Sequence, residues 1–132
     1  MNIEHVAINV ADPVALADWY VRHLGMQVVR HVDVAPFTRF IADSAGRVVL
    51  EVYHQDAPVP DYASYHHFVF HVAFMTNDVA GVRAGLLAAG ATPATEVTHS
   101  PDGDVMTFVR DPWGIVIQLV RRGRPLLDQN SD

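Results

Sequence analysis

The chain has 132 residues, half of them hydrophobic and 18% charged, with a formal net charge of −6 and no cysteine. The length is enough for a domain with a real core, the acidic balance excludes the broad basic face of a nucleic-acid binder, and the missing cysteines exclude disulfides, thiolate metal ligands and cysteine nucleophiles. No apolar run approaches the roughly 18 residues of a membrane span and "MNIEHV" carries no basic leader region, so a cytoplasmic protein without membrane partners is expected.

In chain order, "IEHVAINV" at 3–10 alternates as a strand does. Asp12-Pro13 then supplies a helix cap and a first-turn proline. Leu16, Trp19, Tyr20 and Leu24 form one helical stripe, and Gly25 stops the helix. "MQVVRHVDV", "TRFIAD" and "VVLEVYH" read as strands, with a turn at "SAGR". "QDAPVPDYASY" is rich in proline and polar residues and reads as a linker.

The same order then repeats. "HFVFHVAF" is expected as a strand, and Asn77-Asp78 begins a helix that ends at Gly90. Gly81 and Gly85 weaken that helix by roughly 1 kcal/mol each, so packing must hold it. "TPATEVTH", "DVMTFVRD", the turn "PWG" and "IVIQLV" complete the second copy. The registers agree: His5 precedes Asp12 by the same seven positions that separate His71 from Asp78, and "FIADSAG" at 40–46 matches "FVRDPWG" at 108–114. The fold expected is α+β, built from two βαβββ modules at about 1–54 and 66–122, with a linker at 55–65 and a tail at 123–132.

Strand parity separates the polar residues from the packing face. His5, Ala7 and Asn9 share the side opposite Val6, Ile8 and Val10, and His71 and Ala73 the side opposite Phe70, Val72 and Phe74. In the last strand of each module Glu51 and Gln118 interrupt apolar runs. A buried, unpaired carboxylate costs several kcal/mol, and a divalent ion shared with two imidazoles would satisfy Glu51. Tyr53 lies on the face of Glu51, and His67 shares one with His71. Arg39 and Arg110 stand on or beside middle strands, where either can meet an anionic substrate.

On "EHVAINVADP", "HLGM", "LEVY", "FHVAF" and "RDPWGIVIQLV", the chain resembles the vicinal oxygen chelate superfamily over about residues 2–122. This group includes glyoxalase I, extradiol dioxygenases, methylmalonyl-CoA epimerase and the bleomycin-resistance proteins. The resemblance implies a U-shaped mixed sheet around one divalent metal, with His5, Glu51, His71 and Gln118 as ligands. Zinc, nickel, cobalt, manganese and iron all suit the donor set.

The resemblance further implies a glyoxalase-like lyase or isomerase, working on a small substrate with vicinal oxygens through an enediolate-type intermediate. Enzymatic relatives usually carry glutamate where Gln118 stands. An amide ligates through oxygen but cannot act as a base, which leaves Glu51 as the catalytic carboxylate. Tyr53, Asn9, Arg39 and His67 are the expected substrate-binding residues. A ferrous-iron dioxygenase and a metal-free binding or resistance protein are the alternatives. Each half-cup leaves sheet edges to cover, so a homodimer is expected.

Overall fold

In the computed structural model, which describes residues 1–127, the chain divides into two units, Met1–Pro60 and one beginning at Asp61. The expected linker is therefore shared, with 55–60 in the first unit and 61–65 in the second. Residues 128–132 of the expected tail lie outside the described residues. Both units are α+β with a mixed sheet.

The first unit contains β1 (Val6–Asn9), α1 (Pro13–Leu24), β2 (Gln27–His31), β3 (Arg39–Ala42) and β4 (Val48–Tyr53). Its strand order is β1-β4-β3-β2. β1 and β4 run parallel and the other pairs antiparallel. The expected signals set the limits of α1: Asp12 Oδ1 accepts from the Ala15 N–H at 3.0 Å, and Gly25 takes the left-handed conformation at φ 67°. Leu16, Ala17, Trp19 and Tyr20 on α1 are buried, as are Ile41, Leu50 and Val52 on β3 and β4. Each large side chain so buried contributes about 1.5–3 kcal/mol.

The second unit contains β5 (Val72–Met75), α2 (Val79–Ala88), β6 (Thr92–Pro93), β7 (Thr98–His99), β8 (Val105–Arg110) and β9 (Val116–Arg121). Its order is β5-β9-β8-β6, with β7 also on β8 and β5 parallel to β9. Two expectations need correction. The run at 68–74 is not one strand: residues 67–69 form a turn, Val69 N–H donates to His66 O, and Phe68 and Val69 are 73% and 67% exposed. The strand begins only at Val72, opposite Ile117, because the turn at 67–69 takes the preceding residues out of the extended conformation. The strand expected at 92–99 is broken in two. Pro93 has no N–H to give, and the N–H groups of Ala94 and Thr95 both turn to Phe108 O. The Thr95 hydroxyl oxygen accepts from Phe108 N–H at 3.0 Å in place of a ladder bond.

The two closing hairpins are built alike. Asp43 Oδ1 accepts from Ala45 N–H and Arg47 N–H at 3.0 and 2.9 Å, and Asp111 Oδ1 accepts from Trp113 N–H and Ile115 N–H, both at 2.9 Å. Each aspartate N–H also donates to the carbonyl four residues on, and a left-handed glycine, Gly46 or Gly114, turns the chain. At Gly114 a Cβ would stand 2.7 Å from Ala63 N, so backbone contact as well as φ requires glycine there.

Asp111 is only 3% exposed. Asp111→Ala is expected to lower stability by about 2 kcal/mol or more, since it strips buried amides of their acceptor. Asp43→Ala, at a more solvated turn, is expected to cost less. Urea denaturation of both variants measures the difference, and equal costs would contradict it. Gly85 lies exposed inside α2 with open space around its Cβ position, so Gly85→Ala is expected to raise stability by about 1 kcal/mol in the same assay.

Candidate metal centre

In the first unit the register places Ala7 beside Glu51 and Phe40 on its other flank. His5, one residue ahead of β1, joins this face. Its Nε2 lies 2.9 Å from Glu51 Oε2, and its Nδ1 lies 3.0 Å from Glu4 Oε1. A carboxylate only accepts, so one tautomer donates Nε2–H to Glu51 and the other donates Nδ1–H to Glu4, turning the Nε2 lone pair toward the Glu51 oxygen. Two such lone-pair atoms attract only through a cation between them, a proton or a metal ion. The side chains of His5 and Glu51 are 28% and 18% exposed, enough to desolvate the pair while leaving an approach. The His5 ring stands edge-on to Phe40, with centroids 5.4 Å apart.

The second unit repeats this arrangement. Ala73 lies beside Gln118, and Phe108 is on its other flank. His71, one residue ahead of β5, stands edge-on to Phe108 at 5.1 Å. Its Nδ1 lies 3.0 Å from His67 O, and a carbonyl only accepts, so the Nδ1–H donates and Nε2 carries the free lone pair. Histidine ligands are commonly oriented by such a hydrogen bond from the other ring nitrogen. Gln118 is 7% exposed, and its amide nitrogen lies 3.5 Å from the Met106 sulfur, which leaves the amide oxygen as the donor atom for a cation.

The donor set fits a first-row divalent ion. Nitrogen and oxygen ligands at about 2.1 Å stand about 3 Å apart when adjacent on a metal, and His5 Nε2 and Glu51 Oε2 already have that separation. Within either unit, among the described residues, no three histidine, aspartate or glutamate side chains converge as a ready-made metal cluster.

The other expected site residues are placed as follows. Tyr53 pairs with Asn9 in the ladder and continues the Glu51 face. Asn9 has both ends of its amide on the chain at 55–58: Nδ2–H donates to Ala57 O at 2.9 Å, and Oδ1 accepts from Gln55 N–H at 2.7 Å. Arg39 pairs with the buried Val52, on the helix side of β3, so it is not on the Glu51 face. Its guanidinium donates to Val32 O and Thr38 O and pairs with Asp33 at 3.1 Å. Arg110 donates to Tyr65 O at 2.6 Å and Tyr62 O at 3.3 Å, and so binds that turn to β8. His67 stacks on His66 and packs against Phe108. Burial, then the neighbouring His66, Arg110 and His71, hold its pKa below the ordinary imidazole range, so its ring is neutral at pH 7. Phe40 and Phe108 were not expected at the site. The signal for them is the match of 40–46 with 108–114, in which both occupy the first position.

Several solved structures share this architecture. The glyoxalase family protein from Enterococcus faecalis is 27% identical, with a TM-score of 0.68, covering 91% of this chain and 97% of that one. TioX from Micromonospora sp. ML1 is 22% identical, with a TM-score of 0.68, covering 92% and 99%. Glyoxalase I from Zea mays is 20% identical, with a TM-score of 0.72, covering 92% of this chain and 44% of that one. These last two, at such identities, show the fold alone. No curated protein matches in sequence. The family profile described as glyoxalase/bleomycin resistance protein/dioxygenase superfamily matches residues 2–119, a span that holds both histidine-bearing units, and the chain belongs to that superfamily.

Proposed function

We propose that the protein is a divalent-metal-dependent lyase or isomerase of a small substrate with two adjacent oxygens, with His5, Glu51, His71 and Gln118 as the metal ligands. The observation that carries the reading is the 2.9 Å approach of His5 Nε2 to Glu51 Oε2, the separation of adjacent nitrogen and oxygen donors on one ion. The bound ion would supply Lewis acidity toward the substrate oxygens.

The chain's own residues supply the remaining chemistry. Glu51 is the carboxylate in the set; released from the ion, it would take the proton from the carbon next to the carbonyl and return it to the neighbouring carbon, while the hydroxyl proton passes between the two substrate oxygens. Gln118 holds no proton to exchange and serves as a neutral ligand. Tyr53, on the Glu51 face, offers a hydroxyl to orient the substrate, and His67 offers a neutral ring beside His71. The outer edges of β1, β2 and β5 have no ladder partner among the described residues, which supports a homodimer.

Elemental analysis of protein purified without a metal-affinity tag is expected to find about one divalent ion per chain. His5→Ala and His71→Ala are each expected to lower zinc affinity by at least about tenfold while the circular dichroism spectrum stays unchanged. Metal-free wild-type protein that takes up no zinc would overturn the reading, and ligand binding unchanged by chelation would favour a binding protein. Glu51→Gln is expected to lower kcat by about a hundredfold or more, measured as loss of deuterium exchange at the substrate C–H. Retained exchange would remove Glu51 from the proton-transfer role.

A further inference from the structure

The arginines expected to meet an anionic substrate, Arg39 and Arg110, spend their guanidinium groups on backbone carbonyls. Arg30 on β2 does not. Among the described residues no hydrogen bond or ion pair engages its side chain, and it is exposed.

The register explains where Arg30 stands. β2 carries an irregularity between Val28, opposite Ile41, and Arg30, opposite Phe40. In a regular antiparallel ladder Val29 would oppose Phe40, and Arg30 would oppose Arg39 on the helix side. The extra residue moves Arg30 to the other face. Bulges of this kind recur beside functional sites, where they re-aim a side chain. Arg30, Phe40, Glu51 and Ala7 thus form one cross-strand row on the face that carries His5. Beside this row lies a cavity of about 380 Å³ lined by Glu4, Val29, Arg30 and Phe40. Its acidic wall turns one oxygen toward the histidine, with Glu4 Oε1 3.0 Å from His5 Nδ1. Arg30 is the cation left to meet a ligand.

Building on the metal-dependent reading, we propose that Arg30 anchors an anionic group of the substrate, whose class is then a 2-oxo or hydroxy-carbonyl compound bearing a separate carboxylate. Arg30 and Glu51 are two strand spacings apart, about 10 Å along the sheet. A guanidinium reaching inward from that distance suits a carboxylate a few carbons from the reacting oxygens. The planar fork of arginine accepts it through two parallel hydrogen bonds. A cavity of this size suits a small acid.

The test titrates cobalt-loaded wild-type, Arg30→Gln and Arg30→Lys proteins with two probes by calorimetry. The probes are 2-oxoglutarate and 2-oxobutanoate, which share the vicinal oxygens and differ in the distal carboxylate. Wild-type protein is expected to bind 2-oxoglutarate about tenfold more tightly than 2-oxobutanoate. Arg30→Gln is expected to bring the two within about twofold, with 2-oxobutanoate affinity and the cobalt spectrum unchanged, and Arg30→Lys to restore part of the preference. Equal binding or no binding by wild-type protein, or a preference that survives Arg30→Gln, overturns the assignment. Failure of wild-type protein to take up cobalt instead overturns the metal-dependent reading on which it rests.

Discussion

The site depends on one hydrogen-bonding device, an aspartate carboxylate that closes the hairpin before the last strand of each unit. Asp43 and Asp111 each take two backbone N–H groups onto one oxygen and fix a tight turn. The turn sets the pairing of β3 with β4 and of β8 with β9. That pairing puts Phe40 opposite Glu51 and Phe108 opposite Gln118. A slip of one residue would invert every side chain on the strand, sending Glu51 and Gln118 to the helix face. The candidate site is thus positioned by a turn that lies outside the candidate ligand set.

The second constraint is the parallel pairing of the first strand with the last. It brings His5 to Glu51 and His71 to the Gln118 face across a long stretch of chain. Both histidines stand just before their strands, each with its ring against a phenylalanine and its Nδ1 on an acceptor. The acceptors differ: a glutamate side chain for His5, a backbone carbonyl for His71. One repeated geometry therefore serves two imidazoles, with Nε2 as the presented atom in both. The chemical difference lies at the last strand of each unit, where one unit offers a carboxylate and the other an amide. On the proposed function, proton transfer accordingly belongs to the first unit.

Much of this was legible in the chain. The capped helices, the repeat and the Glu51 and Gln118 positions follow from local signals whose physical causes act within a few residues: caps, left-handed glycines and alternation. The strand through Phe68 was misread because alternation reports which residues suit a sheet, whereas the turn at 67–69 takes the residues ahead of Val72 out of the extended conformation. The arginines were misassigned for a similar reason. Arg39 looked available on a middle strand, yet it faces the helix side and holds its own loop. Arg30 escapes strand parity because a bulge reverses its face, and a bulge leaves no periodic trace. Asn9 showed the right parity, but its amide is claimed by the backbone at 55–58.

By itself the sequence determined the two-module plan, the residues that cap and turn it, and the strand positions of Glu51 and Gln118, because each depends on neighbours within one element or on the repeat. Only the tertiary structure decided that His5 meets Glu51 at 2.9 Å, that phenylalanines back both imidazoles, and that Arg30 rather than Arg39 stands on the Glu51 face. Those outcomes rest on ladder register and on competition for hydrogen-bond partners between segments far apart in the chain, and local pattern carries no record of either.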